Sequence, residues 1–130
     1  MSHVGRFCSK VVIVTLLLTF NSALVAQPDR FSEVVIEATK LTDSIYMLTG
    51  AGGNLAVSVG ADGLLLVDDQ YAAMAERIAD ALANLPGTSA TQQSLKYVIN
   101  THHHGDHTGG NEFFATAGAT IIANEAARVR

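Results

Sequence analysis

One short stretch limits the folds open to this chain more than any other feature. Residues 100–111 have the sequence NTHHHGDHTGGN and contain four of the five histidines in the chain. They follow directly on residues 95–99 (LKYVI), an apolar run with the length of a buried strand. Loops at the carboxyl ends of buried strands are common places for functional groups in α/β proteins. We therefore expect the histidines to gather at one edge of a sheet.

A series of short strands is predicted before this segment. β-Branched residues and rough alternation mark the first strand, a glycine-rich turn at residues 50–53 separates the second from the third, and Asp62-Gly63 is a strong hairpin signal. The continuous apolar run LLLV that follows indicates a strand buried on both faces. The predicted strands are residues 31–40 at the sheet edge, 44–49, 54–59 and 64–67.

The pattern then changes to an alternation of helix and strand. Apolar residues recur at helical spacing from Met74 to Leu85, and Pro86-Gly87 ends that helix. The remaining predicted elements are a strand at residues 95–99, a short helix at 112–117, a strand at 120–123 and the opening of a helix at 124–130. Hairpin strands followed by this alternation predict an α/β layered domain, a sheet covered by helices.

The histidine segment has the residue types of a metal site. His102 and His104 are two residues apart, so an extended backbone points both imidazoles the same way and directs His103 elsewhere. Asp106 and His107 follow a glycine that permits a bend, and they can offer one oxygen and one nitrogen to a neighbouring position. Imidazole and carboxylate without thiolate suit Zn²⁺, and also Fe or Mn. The alternative is a surface cluster that attracts divalent ions without specificity.

The N-terminus predicts a secretory signal peptide over residues 1–26. Two basic residues precede the apolar run VVIVTLLLTF at 11–20, and small or polar residues lead to a cleavage site after Ala26. The alternative, an uncleaved membrane anchor, is disfavoured because spanning a bilayer takes about 20 apolar residues. We therefore expect a periplasmic or secreted protein without a stable membrane anchor. The only cysteine, Cys8, lies in this segment, so the mature chain has no disulfide and no thiolate ligand.

The net charge of the chain limits the classes of molecule that it is expected to bind. The chain has twelve acidic residues against eight basic ones. Two of the basic residues fall in the predicted signal peptide, so the mature part is more acidic still. An acidic surface argues against nucleic acid as a partner, and a small-molecule substrate is the expectation.

The segment THHHGDHTGGN at residues 101–111 resembles the His-x-His-x-Asp-His signature of the metallo-β-lactamase superfamily. Residues 52–70 (GGNLAVSVGADGLLLVDDQ) are similar to the hairpin and buried strand that precede the signature in that family, and residues 118–130 (GATIIANEAARVR) to the strand and helix that follow it. The resemblance implies a metallo-β-lactamase-type αβ/βα sandwich with only its first half present. Residues 27–130 would then be the N-terminal part of a truncated domain.

The resemblance also implies roles for individual residues. His102 and His104 would bind the first of two zinc ions, and Asp106 and His107 the second. Asp106 would also help to orient the attacking hydroxide, and Asp68, at the end of the preceding strand, would support the site from behind. The implied activity is that of a zinc-dependent hydrolase acting on a carbonyl-type substrate. The three later metal ligands of the family, two histidines and a bridging aspartate, have no counterpart in this chain.

Two alternatives remain open at this stage. One is a non-catalytic or vestigial metal-binding periplasmic protein, and the other is an iron-dependent, oxygen-using enzyme of the same fold. Because half a sandwich leaves one sheet face open, self-association and no turnover are expected of the mature chain alone. Asp69, beside Asp68, is predicted to cap the helix that begins near Tyr71.

Overall fold

The computed structural model describes residues 30–89 and 92–129, and these residues form one six-stranded sheet with helices. The strands are β1 Glu37–Lys40, β2 Ile45–Thr49, β3 Leu55–Gly60, β4 Gly63–Val67, β5 Leu95–Asn100 and β6 Thr120–Ala123. They lie in the sheet in the same order as in the chain. The pairs from β1 to β4 are antiparallel, whereas β4, β5 and β6 pair in parallel.

Helices connect the parallel strands, as parallel pairing requires. A short 3-10 helix leads into α1 between β4 and β5, two short helices lie between β5 and β6, and a last one follows β6. Their bounds are Ala72–Met74 for the 3-10 helix, Ala75–Ala83 for α1, Gly105–Thr108 for α2, Asn111–Thr116 for α3 and Glu125–Arg128 for α4. The predicted α/β class is confirmed. The prediction of a plain loop through the histidine segment is wrong, because α2 forms one helical turn there.

The core lies between one face of the sheet and helices α1 and α3. Alternate residues of the strands point to this face, and Leu48, Val57 and Leu66 are fully buried there. From the helix side, Ile78 of α1 and Phe114 of α3 belong to the same cluster. Burying one such side chain stabilises a fold by about 1.5–3 kcal/mol. This packing holds the carboxyl ends of β4 and β5 against each other.

The second face of the sheet is also apolar, but it remains partly open to solvent. Leu65 is the register partner of Tyr97, and Ile99 is the partner of Ile122, so these side chains lie on one face. Tyr97 is 47% exposed and Ile122 is 44% exposed. The prediction that residues 64–67 are buried on both faces is therefore wrong for Leu65, which is only half-buried.

The predicted edge strand is shorter than expected. Residues 30–33 form a turn, and β1 begins only at Glu37. The guanidinium of Arg77 on α1 explains the difference, because its Nη1 donates to the carbonyl of Phe31 and, at 3.2 Å, to that of Val34. Because Arg77 satisfies these two carbonyls, they do not require hydrogen bonds from a neighbouring strand.

The predicted signal peptide, residues 1–26, lies outside the described residues. Among the helices that the structure describes, none has the length and apolar character needed to cross a membrane.

Candidate metal centre

The candidate site lies where β4 and β5 end side by side. Because these strands are parallel, the residues that follow them emerge at the same edge of the sheet. The backbone N–H of Asp68, just past β4, donates to the carbonyl of Ile99 on β5 at 2.9 Å. Thr101 and the histidine segment continue from β5 at this point. The fold thus brings two chain segments more than thirty residues apart into direct contact.

The Asp68 carboxylate makes hydrogen bonds with three groups of the site. Its Oδ1 accepts from the backbone N–H of Thr101 and its Oδ2 from the Thr101 hydroxyl, both at 2.8 Å. The same Oδ2 lies 2.8 Å from Nδ1 of His107. The residue is only 4% exposed. A buried carboxylate with several donors is stable because each donor replaces a lost water contact.

These contacts define which imidazole nitrogens remain available. A carboxylate only accepts, so Nδ1 of His107 donates to Asp68 and its Nε2 keeps a free lone pair. Thr101 Oγ1 donates its single hydrogen to Asp68 and lies 3.0 Å from Nδ1 of His102, from which it accepts. Nε2 of His102 is free in the same way. Hydrogen bonds of this kind orient histidine ligands in metal sites.

The four residues implied by the resemblance lie close together at spacings that fit zinc. The ring centres of His102 and His104 are 4.8 Å apart, and two imidazoles on one tetrahedral zinc have centres about 5 Å apart. His107 Nε2 lies 3.6 Å from Asp106 Oδ2, against about 3.3 Å for a nitrogen and an oxygen that share a zinc. The rings of His102 and His107 are 4.0 Å apart, so the two pairs adjoin.

Each pair supplies two donors. Across residues 30–89 and 92–129, no group of three or more His, Cys, Asp or Glu side chains is arranged to hold a metal ion. A catalytic zinc usually has three protein ligands and keeps one position for water. The donor types and spacings fit zinc, with a ligand set that these residues alone leave incomplete.

His103 lies on the side of the segment that faces β6. Its side chain lines a cavity of about 600 Å³ there, together with Asn100, Asn111 and Ile122. Its ring centre is 6.4 Å from that of His102 but 4.7 Å from that of His104. His103 is thus removed from the contact between His102 and His107 but adjoins His104, and its exclusion from the ligand set stays a prediction.

The prediction that Asp69 caps the helix beginning near Tyr71 is wrong. No side-chain hydrogen bond caps the start of the 3-10 helix at Tyr71. Asp69 instead turns inward, is fully buried, and accepts from the backbone N–H of Gly110 at 2.9 Å. Within the described part of the chain, its Oδ2 has no hydrogen-bond partner. Burial raises the pKa of Asp69 to about 6, partly offset by the Gly110 hydrogen bond, and the nearby Asp68 carboxylate raises it further.

The reason for the inward turn is the backbone on either side of Asp69. Asp68 and Gln70 adopt φ values of 60° and 56°, a left-handed conformation that residues other than glycine rarely adopt. The turn places the backbone N–H of Asp69 3.0 Å from the carbonyl of His107, and the carbonyl of Gln70 2.8 Å from the N–H of Gly109. Residues 68–70, hereafter the aspartate strap, are therefore hydrogen-bonded to the backbone of the histidine segment at His107 and Gly109.

Three residues that the sequence did not single out belong to the site. Thr101 links Asp68 to His102, and its position directly before the histidines was an available signal. Asn100 donates from Nδ2 to the carbonyl of His107 at 3.1 Å. Gln70 donates from Nε2 to the carbonyl of Gly53 at 2.7 Å. A single amide carries no pattern that marks it, so Gln70 was not predictable.

The glycine-rich turn before β3 packs directly on the site. A Cβ at Gly53 would lie 2.8 Å from Cε1 of the His107 ring, which is closer than Cβ atoms approach other heavy atoms in proteins. A Cβ at Gly52 would lie 3.3 Å from Cβ of Asp106, and Gly52 also has a φ of 93°. Two glycines therefore allow the turn to approach Asp106 and His107 more closely than other residues would.

The sequence pattern of the metallo-beta-lactamase superfamily matches residues 49–129, more than half of the chain. The chain belongs to this superfamily, and the resemblance seen in the sequence is confirmed. The matched region contains β3 to β6, the aspartate strap and the histidine segment.

Individual relatives agree with this assignment. The subclass B3 metallo-beta-lactamase of Bradyrhizobium japonicum is 31% identical and superimposes with a TM-score of 0.61 over 77% of this chain and 37% of its own. The metallo-beta-lactamase of Hirschia baltica shares the fold, with a TM-score of 0.61, 23% identity, and coverage of 73% and 46%. A hydroxyacylglutathione hydrolase of Methylococcus capsulatus is 59% identical over 29 residues, 22% of this chain and 11% of that protein. The chain spans less than half the length of these solved structures.

Proposed function

We propose that residues 27–130 supply the N-terminal part of a zinc-dependent hydrolase that acts on a small-molecule substrate with a carbonyl-type electrophile. Membership of the superfamily supports a hydrolase. The observation that most favours a metal-dependent reaction is the shared hydrogen bonding of Asp68, because one buried carboxylate aligns His107 directly and His102 through Thr101. Support of this kind is typical of metal-ligating histidines.

In this proposal His102 and His104 bind the first zinc, and Asp106 and His107 bind the second. When bound, zinc lowers the pKa of water to about 7 and so supplies a hydroxide nucleophile at neutral pH. With zinc bound, Asp106 would also help to orient that nucleophile. Asp68 holds the His107 ring so that Nε2 faces the Asp106 carboxylate. The ligands that complete each zinc are proposed to come from a C-terminal half of the same domain.

The place of action and the substrate class are part of the proposal. The apolar run at residues 11–20 supports export to the periplasm or beyond. The relatives suggest two chemistries to test, a β-lactam from the Bradyrhizobium japonicum enzyme and a hydroxyacylglutathione from the Methylococcus capsulatus enzyme. Both have an electrophilic carbonyl that a hydroxide attacks.

The test is metal analysis and assay of the full-length protein. We expect two zinc ions per chain, turnover of at least one of the two substrates, loss of turnover on chelation and recovery with Zn²⁺. Bound iron together with oxygen consumption would favour the oxygen-using alternative. A protein that binds metal but turns over nothing would be the non-catalytic metal-binding member that the sequence also allowed, and one that binds no metal would contradict the proposal.

A further inference from the structure

Gln70 has no assigned role and an unusual setting. It is fully buried, its φ of 56° is left-handed, and its Oε1 has no hydrogen-bond partner among the residues that the structure describes. Each of these features costs stability in a residue that is not glycine. Strained backbone and unpaired buried polar atoms collect at functional sites, where the surrounding structure holds them in place. The burial, backbone conformation and unpaired Oε1 of Gln70 therefore indicate a role other than packing.

The two hydrogen bonds of Gln70 reach both sides of His107. Its carbonyl accepts from the backbone N–H of Gly109, two residues after the histidine. Its side-chain Nε2 donates to the carbonyl of Gly53 at 2.7 Å, and Gly53 is the residue whose missing Cβ makes room for the His107 ring. The amide orientation is determined, because a flipped amide would set Oε1 against the Gly53 carbonyl.

The contacts of the glycine turn are selective. Gly53 lies against Cε1 and Nε2 of His107, and Gly52 lies against Asp106. These are the two residues proposed for the second zinc. None of the nearest neighbours of either glycine belongs to His102 or His104, the residues proposed for the first zinc. Movement of the turn therefore acts directly on Asp106 and His107 and reaches His102 only through the His107 ring.

We infer that Gln70 is a positioning residue for the second metal. By pinning the carbonyl of Gly53 it holds the glycine turn against His107 and Asp106, while Asp68 holds the opposite nitrogen of the same imidazole. The direction of His107 Nε2 is then defined from both sides of the ring. The inference rests on the proposed function, since it needs two metal positions.

The experiment titrates metal-free full-length protein with Co²⁺ and follows the two binding steps by visible absorption. His107→Ala identifies the step that belongs to the second position. In Gln70→Leu, which keeps the size of the side chain and removes the donor, we expect the second Kd for Co²⁺ to rise about 10–100-fold, with the first Kd unchanged. Gln93→Leu is the matched control, because Gln93 makes the same kind of donor contact at Thr88, away from the site.

Gly53→Ala tests the same contact by another route. The added Cβ overlaps the His107 ring, so the second Kd should rise in the same range while the first stays constant. The double variant should lose little more than Gly53→Ala alone, because both changes act through one contact. If Gln70→Leu does not fold, Gln70→Met, which also removes the donor and keeps a flexible side chain of similar size, takes its place.

The results of these titrations distinguish the proposed function from the inference about Gln70. Unmodified protein that fails to bind two Co²⁺ contradicts the proposed function and the inference together. Unmodified protein that binds two Co²⁺, with variants that bind both as well as it does, contradicts the inference alone. Equal weakening of both steps, accompanied by lower stability of the metal-free variants, would show that Gln70 only supports the fold.

Discussion

Nδ1 of His107 lies 2.8 Å from Oδ2 of Asp68, although the two residues are 39 positions apart in the chain. The contact is largely removed from water, since the Asp68 side chain is 6% exposed and that of His107 is 19% exposed. A hydrogen bond in such surroundings is stronger than one at the surface. It determines which nitrogen of His107 faces Asp106.

Loss of this carboxylate should weaken metal binding without abolishing it. For Asp68→Ala we expect a 10–100-fold rise in the Kd for zinc, about the usual cost of removing a partner that orients a metal ligand. The measurement is competition with a chromogenic chelator in full-length protein. Asp62→Ala, which removes an exposed carboxylate from the β3–β4 hairpin, is the control. An effect no larger than that of the control would remove Asp68 from the site.

The three consecutive histidines should differ in importance. His102→Ala and His104→Ala should each lose metal and hydrolysis, whereas His103→Ala should be nearly silent, because its side chain lines the cavity beside β6. Metal content and turnover of the three variants decide the matter. Equal losses at His103 and His104 would mean that the ligands have been placed wrongly.

Stability should depend on pH through Asp69. Burial raises its pKa from 3.8 to about 6, so the native state favours the uncharged carboxyl. That contribution to stability is complete below pH 3.8 and is lost as the pH rises through about 6. Asp69→Asn keeps the acceptor for Gly110 and removes the charge. It should raise the free energy of unfolding by about 3 kcal/mol at pH 8, with no gain at pH 3.5.

Urea unfolding of metal-free protein at the two pH values measures this difference. Asp80→Asn, which removes an exposed carboxylate from α1, is the control and should show little change at either pH. A gain for Asp69→Asn that is the same at both pH values would show that the buried charge is not its source.

Export is expected from the predicted signal peptide. Expressed in a Gram-negative host, the protein should reach the periplasm and begin near Gln27. Edman sequencing or mass spectrometry of the periplasmic fraction identifies the N-terminus. A cytosolic pool that retains the first 26 residues would contradict the prediction.

The mature chain alone, residues 27–130, should self-associate, bind metal weakly and show no turnover. Apolar side chains on the second face of the sheet are exposed, and each proposed metal position has only two ligands. Sedimentation measures the association, and Tyr97→Lys with Ile122→Lys should reduce it. Val35→Lys, at a 71% exposed apolar residue before β1, is the control. A monomer that holds two metals tightly and hydrolyses substrate would overturn this prediction.

Much of the fold was predictable because its signals are local. Apolar runs bounded by turn signals predicted β2 and β3, helical spacing predicted α1, and short connections between neighbouring strands are consistent with a sheet in chain order. The candidate ligands were predictable for the same reason, since all four lie within six residues. The end of the first strand was not, because Arg77 from a distant helix binds its carbonyls.

The supports of the site were only partly predictable. Asp68 was anticipated through the resemblance, whereas Asp69 was assigned to the wrong partner. Its inward direction depends on the left-handed φ values of Asp68 and Gln70; Gln has no preference for that conformation, and Asp tolerates it without requiring it. Conformations that tertiary contacts impose against local preference leave no trace in a single sequence.

The division between ligands and supports has a consequence for protein design. A peptide with the sequence of residues 101–111 contains the four candidate ligands of this chain but none of Asp68, Gln70 or Gly53. Transplanted into an unrelated loop, it would keep its imidazoles and carboxylate and lose the hydrogen bonds and close contacts that orient them. A graft that reproduces their orientation would have to carry three separate pieces of backbone in their mutual arrangement.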